Sequence, residues 1–226
     1  MLKWLKRILG AYARRYFDQQ MRNFIDAGDY EAVLNHATNI CRKRENDISA
    51  QHWRALALLW LEGHQEALDI VNRIERLTAE GILQLDDAWT IAYEEIKCYA
   101  LNGLKQYDAL HEFSSACIDR HPDIISLASF QLVATIQLGM LTASTPCLHF
   151  LDGSINNFHE AWEFQALYSA HRHLGNKERA SEIARLALAN YPNDAAVQEM
   201  AKGKHVTPNS VSPCVTSRDS RSCGPR

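Results

Sequence analysis

The chain has 226 residues, 46% of them hydrophobic, which is enough to build one large domain or two small ones around a substantial core. Ten glycines and six prolines are few, and no apolar run approaches the ~18 residues of a membrane span. The formal net charge of −3 is unevenly spread: Lys3, Lys6, Arg7, Arg14 and Arg15 stand against no acid in residues 1–17, and Lys202, Lys204, Arg218, Arg221 and Arg226 stand against Asp219 alone in residues 202–226. Removing those +5 and +4 leaves the middle of the chain at −12. An acidic body with basic ends argues against nucleic acid, whose phosphates need a basic folded surface.

Scarce breakers among many Ala, Leu, Glu and Gln residues predict an all-α protein. The first element, residues 1–13 and running on to 17, is a basic amphipathic helix. At ~100° per residue Leu2, Leu5, Leu9, Tyr12 and Tyr16 share one arc. Lys3, Lys6, Arg7 and Arg14 lie on the other side, Trp4 and Ile8 widen the apolar face, and Arg15 adds to the basic character. Three readings stay open for this segment: a cap on the first helical hairpin, a helix lying in an anionic membrane surface, or a mitochondrial targeting presequence.

Helices are predicted over residues 2–27, 29–43, 49–62, 64–79, 86–102, 105–119, 123–138, 140–151, 157–174, 176–190 and 193–202. Asp47 or Ser49, Asp86, Pro122-Asp123 and Pro192-Asn193-Asp194 supply start signals. The stretch from Thr78 to Leu85 is expected as loop. A short turn signature recurs between helix pairs. It reads Gly28-Asp29-Tyr30-Glu31-Ala32, Gly63-His64-Gln65-Glu66-Ala67 and Lys105-Gln106-Tyr107-Asp108-Ala109, then Gly139-Met140-Leu141-Thr142-Ala143 and Gly175-Asn176-Lys177-Glu178-Arg179-Ala180. The alanines fall 35, 42, 34 and 37 residues apart, bracketing the ~34-residue period of a helical-hairpin repeat. A glycine ends one helix in the left-handed conformation, and a small alanine allows the next helix to approach closely.

The stretch AWEFQALYSAHRHLGNKERASEIARLALANYPND, residues 161–194, resembles the tetratricopeptide repeat family. Leu167, Tyr168, Gly175, Ala180, Ala187 and Pro192 match the family's pattern in type and spacing, while Ala184 stands where a large aromatic is usual. Ala109, Phe113, Ala116 and Pro122 carry a second half-match, and three of the turns are one residue shorter than the family's usual form. The resemblance covers about residues 14–200. It implies a right-handed solenoid of about five hairpins over residues 14–202, whose first helices line a concave groove that takes a peptide or helix without catalysis. On the best-matching repeat the implied groove positions are Trp162, Gln165, Ser169, Arg172 and His173. The acidic body predicts neutral or basic partner segments. An adaptor or chaperone in the cytoplasm follows as the expectation, with a membrane-peripheral scaffold held by the first helix as its alternative.

Residues 203–226 hold Pro208, Pro213 and Pro225 and almost no large apolar side chains, a composition that predicts a disordered tail. Cys41, Cys98, Cys117 and Cys147 read as buried small hydrophobes, and a reducing compartment fits them. No catalytic motif, phosphate loop or metal spacing occurs, so no catalytic residue, metal or cofactor is expected. His171 and His173 lie ~200° apart on a helix and cannot share a ligand. His149 and His159 read as loop histidines around Asp152, and Glu94-Glu95 and Glu160/Glu163 as carboxylates of exposed helix faces. Trp53, Trp60, Trp89 and Tyr93 read as packing between hairpins.

Overall fold

The structure is a computed structural model that describes residues 17–204 and residue 206. The segment 1–13 and the residues Lys3, Trp4, Lys6, Arg7, Arg14 and Arg15, expected to form a membrane-surface helix, lie outside the described residues. The described residues are all helix and connecting turn, without a strand, and no described helix is long and apolar enough to cross a membrane.

Two compact units divide at Leu83 and Gln84. The first contains α1 (17–26), α2 (Tyr30–Lys43), α3 (Ile48–Trp60) and α4 (His64–Ala79). The second contains α5 (Asp87–Gly103), α6 (Tyr107–Arg120), α7 (Ile125–Gln137), α8 (Pro146–Ser154), a single 3-10 turn (Ile155–Asn157), α9 (Ala161–His173), α10 (Lys177–Asn190) and α11 (Ala195–Ala201). Within each unit successive helices pack against one another, α2 through α4 in the first and α5 through α10 in the second, and α11 closes the second unit against α9 and α10; α1 meets α2 where Phe17 and Phe24 pack on His36.

The helix starts follow local chemistry. Asp29, Asp47, Asp86 and Asp194 each accept a hydrogen bond from a backbone N–H three residues on, satisfying a donor that the first turn leaves orphaned. All five hairpin turns share one closure, in which the residue after a left-handed position donates back five residues. The pairs are Asp29 to Phe24, Gly63 to Leu58, Gln106 to Leu101, Met140 to Thr135 and Asn176 to His171.

That closure corrects the sequence register. The left-handed residues are Gly28, Glu62 (φ 61°), Lys105 (φ 57°), Gly139 and Gly175, so Gly63 is not one of them. Gly63 instead starts α4, where a Cβ would sit 3.1 Å from Leu58 Cδ2. Five residues after four of these left-handed positions the chain is fully buried: Val33, Ala67 and Leu110 are 0% exposed and Ala180 1%, whereas Ser144, five after Gly139, is exposed because α8 does not start until Pro146. In the one-residue-shorter turns Ala32 and Ala109 therefore fall one step off the contact, and Ala109 is exposed while Val33 and Leu110 pack inward. Glu62 and Lys105 occupy a conformation that costs an L-residue roughly 1–2 kcal/mol. Glu62→Gly and Lys105→Gly should each stabilise the chain by about 0.5–1 kcal/mol, after the glycine's extra unfolded-state entropy is deducted. Urea midpoints at constant slope measure this; a loss of stability in both variants would show that the side chains contribute more than the strain costs.

The helix expected over 140–151 begins instead at Pro146. Thr145 Oγ1 accepts from the Thr142 backbone N–H at 3.0 Å, which holds residues 142–145 in a hydroxyl-bonded turn, and Pro146 suits a first helical position because its missing N–H would be unpaired there. α9 also starts later than expected, at Ala161.

The first unit's core gathers Phe17, Met21, Ile25, Val33, Cys41, Ala50 and Ala57, with Trp53 and Trp60 packed against it. Asp18 accepts from Ser49 Oγ (3.0 Å) and Trp53 Nε1 (3.1 Å), tying α1 to α3. The second unit's core centres on α9, of which every residue from Ala161 to His171 is buried. Phe164, Leu167 and Tyr168 there meet Leu132 and Val133 of α7, Leu151 of α8 and Ile183 and Ala187 of α10. Cys41, Cys98, Cys117 and Cys147 are buried free thiols.

Asp152 joins three helices. Its Oδ2 lies 2.9 Å from His171 Nε2 and its Oδ1 accepts from Arg179 Nε at 2.9 Å, while Arg179 also reaches Glu182 at 2.6 Å. The residue read as part of a histidine-flanked loop is thus on α8 and braces α9 against α10. Among the described residues no group of three or more His, Cys, Asp or Glu side chains could hold a metal ion.

Candidate binding site

In the second unit α5, α7 and α9 are the first helices of their hairpins, and α7 packs against both of the others. Counting back from the left-handed residues Lys105, Gly139 and Gly175 puts these helices in common register. Glu95, Ser129 and Gln165 stand ten residues before the turn, and Tyr99, Val133 and Ser169 six before it. Ser126 and Trp162 stand thirteen before it. Equivalent positions on successive first helices share a face, so this register is what brings an acid, two aromatics and several amides and hydroxyls together.

Three aromatic rings form the frame. Phe130 stacks at 4.7 Å from Tyr99, edge-on at 83°, and at 4.7 Å from Trp162, tilted by 37°; Tyr99 and Trp162 are 6.0 Å apart. Around them stand carboxylates. Ser126 Oγ donates to Glu95 Oε1 across the α5–α7 contact. Glu163 Oε2 accepts the backbone N–H groups of His159 (2.7 Å) and Glu160 (3.0 Å), capping the start of α9. Glu94, on the neighbouring face, is 6% exposed and held by Arg120 (2.6 Å) and His121 (3.5 Å).

The electrostatics of the group are those of acids short of solvent and of counter-charge. Burial pushes Glu160 up to about 8, and the charges of Glu163 and Glu95 add to it. Burial likewise raises Glu163 to about 7, with Glu95 adding to the rise, while the two backbone N–H groups pull the other way. Burial raises Glu95 against the opposing hydrogen bond from Ser126, with Glu94 adding a smaller rise. Burial pushes the Tyr99 phenol well up, with Glu160, Glu95 and Glu163 adding to the rise and the neighbouring Trp162 indole pulling the other way. Sequence reading assigned these carboxylates to exposed faces; the structure buries or half-buries all four. Six polar atoms of the residues around this face are buried without a hydrogen-bond partner: Glu94 Oε2, His121 Nε2, Ser129 Oγ, Glu160 Oε2, Trp162 Nε1 and Gln165 Oε1.

The five positions that the resemblance assigned to the groove have distinct surroundings. Trp162 (3% exposed) and Gln165 (4%) belong to the cluster just described. Ser169 (3%) donates to the Val206 carbonyl at 2.7 Å, and Tyr168 donates to the Lys204 carbonyl at 2.9 Å. Lys204 and Val206 therefore lie along the far end of the α9 face. Arg172 lines a surface cavity of about 270 Å³ with Tyr168, Ala184, Arg185 and Met200. Ala184 leaves room there that a larger side chain would fill. His173 is exposed. Glu95, Tyr99 and Glu160 were the residues missed, and the signal for them was the left-handed turn position, since aligning on the turn alanines shifts α5 by one residue.

No family model matches the chain, and no curated protein matches it in sequence. In structure it is similar to a thermophilic tetratricopeptide repeat protein from Thermus thermophilus, with a TM-score of 0.64 and 14% identity, over 84% of this chain and 97% of that one. The fold is an all-helical, tetratricopeptide-like repeat.

Proposed function

We propose that this chain is a non-catalytic protein-interaction module of the cytoplasm, an adaptor or chaperone that holds an extended peptide or a helix of a partner protein against the first helices of its repeats. The observation that carries the reading is the α5–α7–α9 face, where the Tyr99–Phe130–Trp162 frame adjoins buried polar atoms that no described residue satisfies. Buried polar groups without partners are costly, and a peptide backbone offers the alternating donors and acceptors that satisfy them. Aromatic anchors beside such groups are where interface energy concentrates. The acidity of the body favours neutral or basic segments.

Site-specific photocrosslinking tests the reading. A photoreactive phenylalanine at Tyr99 should give discrete crosslinked bands in extract of the source cells, and one at exposed Glu178 on α10 should not. Equal, diffuse labelling from both positions would remove the face from consideration.

A further inference from the structure

We infer that the surface cavity between α9, α10 and α11 is a binding site for a small aliphatic carboxylate, a ligand with one anionic group on a short apolar body. The cavity opens where α11 stops. Tyr168 and Arg172 of α9 and Ala184 and Leu188 of α10 form two of its walls, and Met200 with Gly203 forms the third. Its volume of about 270 Å³ lies just under the roughly 300 Å³ at which pockets for drug-sized ligands begin, so its occupant is small. The room comes from side-chain size. Ala180 and Ala184 present only methyl groups from α10, and Gly203 turns the chain at φ 74° without adding a side chain. The cavity shares no residue with the Tyr99–Phe130–Trp162 frame, and the inference does not depend on the interaction reading above.

Charge sets the class of ligand. Arg172, half-buried, and Arg185, exposed, both line the cavity, and no Asp or Glu does. Neither guanidinium forms an ion pair or a hydrogen bond with a described residue, in contrast to Arg120, held by Glu94, and Arg179, held by Asp152 and Glu182. The carboxylates that flank the lining residues in sequence are already taken: Glu182 by Arg179 at 2.6 Å, and Glu199 by Lys202 at 2.7 Å and Lys204 at 2.5 Å. Two lysines on one glutamate leave a positive charge over. An inorganic anion would satisfy the guanidinium groups but leave Ala184, Leu188 and Met200 against water, and a neutral apolar ligand would do the reverse. A carboxylate on an aliphatic body meets both needs, the planar guanidinium fork matching the carboxylate. The acidic body around the site repels polyanions and dianions more strongly than a monoanion. A free short-chain acid carries this chemistry, and so does the last residue of a polypeptide ending in leucine.

The test uses the full chain labelled with ¹³C-methyl methionine, which has four methionines to resolve. Met200 lines the cavity and its signal is assigned by Met200→Leu; Met140, 54% exposed and outside the cavity, is the internal control. The probes are hexanoate and hexan-1-ol, and an acetylated tetrapeptide of three alanines and a terminal leucine with its end free or amidated. Hexanoate should shift Met200 saturably with a Kd on the order of 1 mM, leave Met140 in place, and bind at least about tenfold more tightly than hexan-1-ol. Arg172→Gln combined with Arg185→Gln should erase that preference, and because neither residue is fully buried the paired variant should fold. Ala184→Phe should abolish binding by filling the space. No saturable shift from either carboxylate, or no preference for a carboxylate over its neutral counterpart, would overturn the site; so would a preference that survives the paired substitution. A preference confined to hexanoate assigns the site to a free acid, and one shown by the free-ended peptide extends it to a chain end; either supports it.

Discussion

Phe164→Ala lowers the unfolding free energy of the second unit by about 4 kcal/mol, the upper range for emptying a buried aromatic position. Phe164 is 2% exposed and sits on the helix that every other helix of that core touches or adjoins. Its ring packs edge-on to Phe158 at 5.0 Å and to Tyr191 at 6.0 Å, so truncation removes two aromatic contacts as well as buried area. The walls cannot easily collapse, because α9 is pinned through His171 to Asp152 and at its start by the Glu163 cap. Phe164→Leu, which keeps most of the volume, should cost less than half as much. Denaturant unfolding followed by circular dichroism measures both. A loss under 1.5 kcal/mol for the alanine variant would mean that the space closes, and that α9 is less constrained than these contacts require.

The repeat architecture was legible in the sequence because its signals are local. Asp29, Asp47 and Asp86 announce helix starts, Gly28, Gly139 and Gly175 announce ends, and the spacing of the turns gives the period. What misled was treating the conserved-looking alanine as the anchor of the register. The physical anchor is the left-handed residue, and at Glu62 and Lys105 it is not a glycine, so nothing in residue type marks it. One consequence was local, with Val33 and Leu110 taking the buried place expected of Ala32 and Ala109. The other reached the site: a slip of one residue on α5 moves Glu95 and Tyr99 off the face they share with Trp162 and Gln165. Burial of the carboxylates was not legible at all, since Glu94-Glu95 and Glu160/Glu163 look like any solvated helix acids until α5, α7 and α9 are brought together. Lys204 and Val206 fall in the stretch whose composition predicts a disordered tail, yet their carbonyls accept from Tyr168 and Ser169, a contact decided by where α11 ends.

Buried titratable groups give the two units opposite responses to pH, carboxylates in the second and His52 in the first. Glu160 and Glu163 have folded pKa values of about 8 and about 7 against an ordinary 4.5, so between pH 4.5 and 8 the folded second unit holds more protons than the unfolded chain. These two groups therefore make stability fall as pH rises through that window. Glu95, raised by the same burial, acts in the same direction. Solvent reaching half-buried Glu160 screens part of the effect, which leaves a loss of about 3 kcal/mol between pH 5 and pH 8.5. In the first unit burial lowers His52 to about 4 from 6.5, so there the folded state holds fewer protons and stability is lost as pH falls from 6.5 toward 4. Glu199, pulled down to about 2 by Lys202 and Lys204, contributes only below pH 4.5. Hydrogen exchange on the full chain, corrected for intrinsic rates, should show α9 protected most near pH 5 and α3 protected least at that acid end. Glu160→Gln should flatten most of the α9 profile without changing α3, and His52→Gln should do the converse. Parallel profiles in both helices would mean that the carboxylates are better solvated than the α5–α7–α9 packing allows.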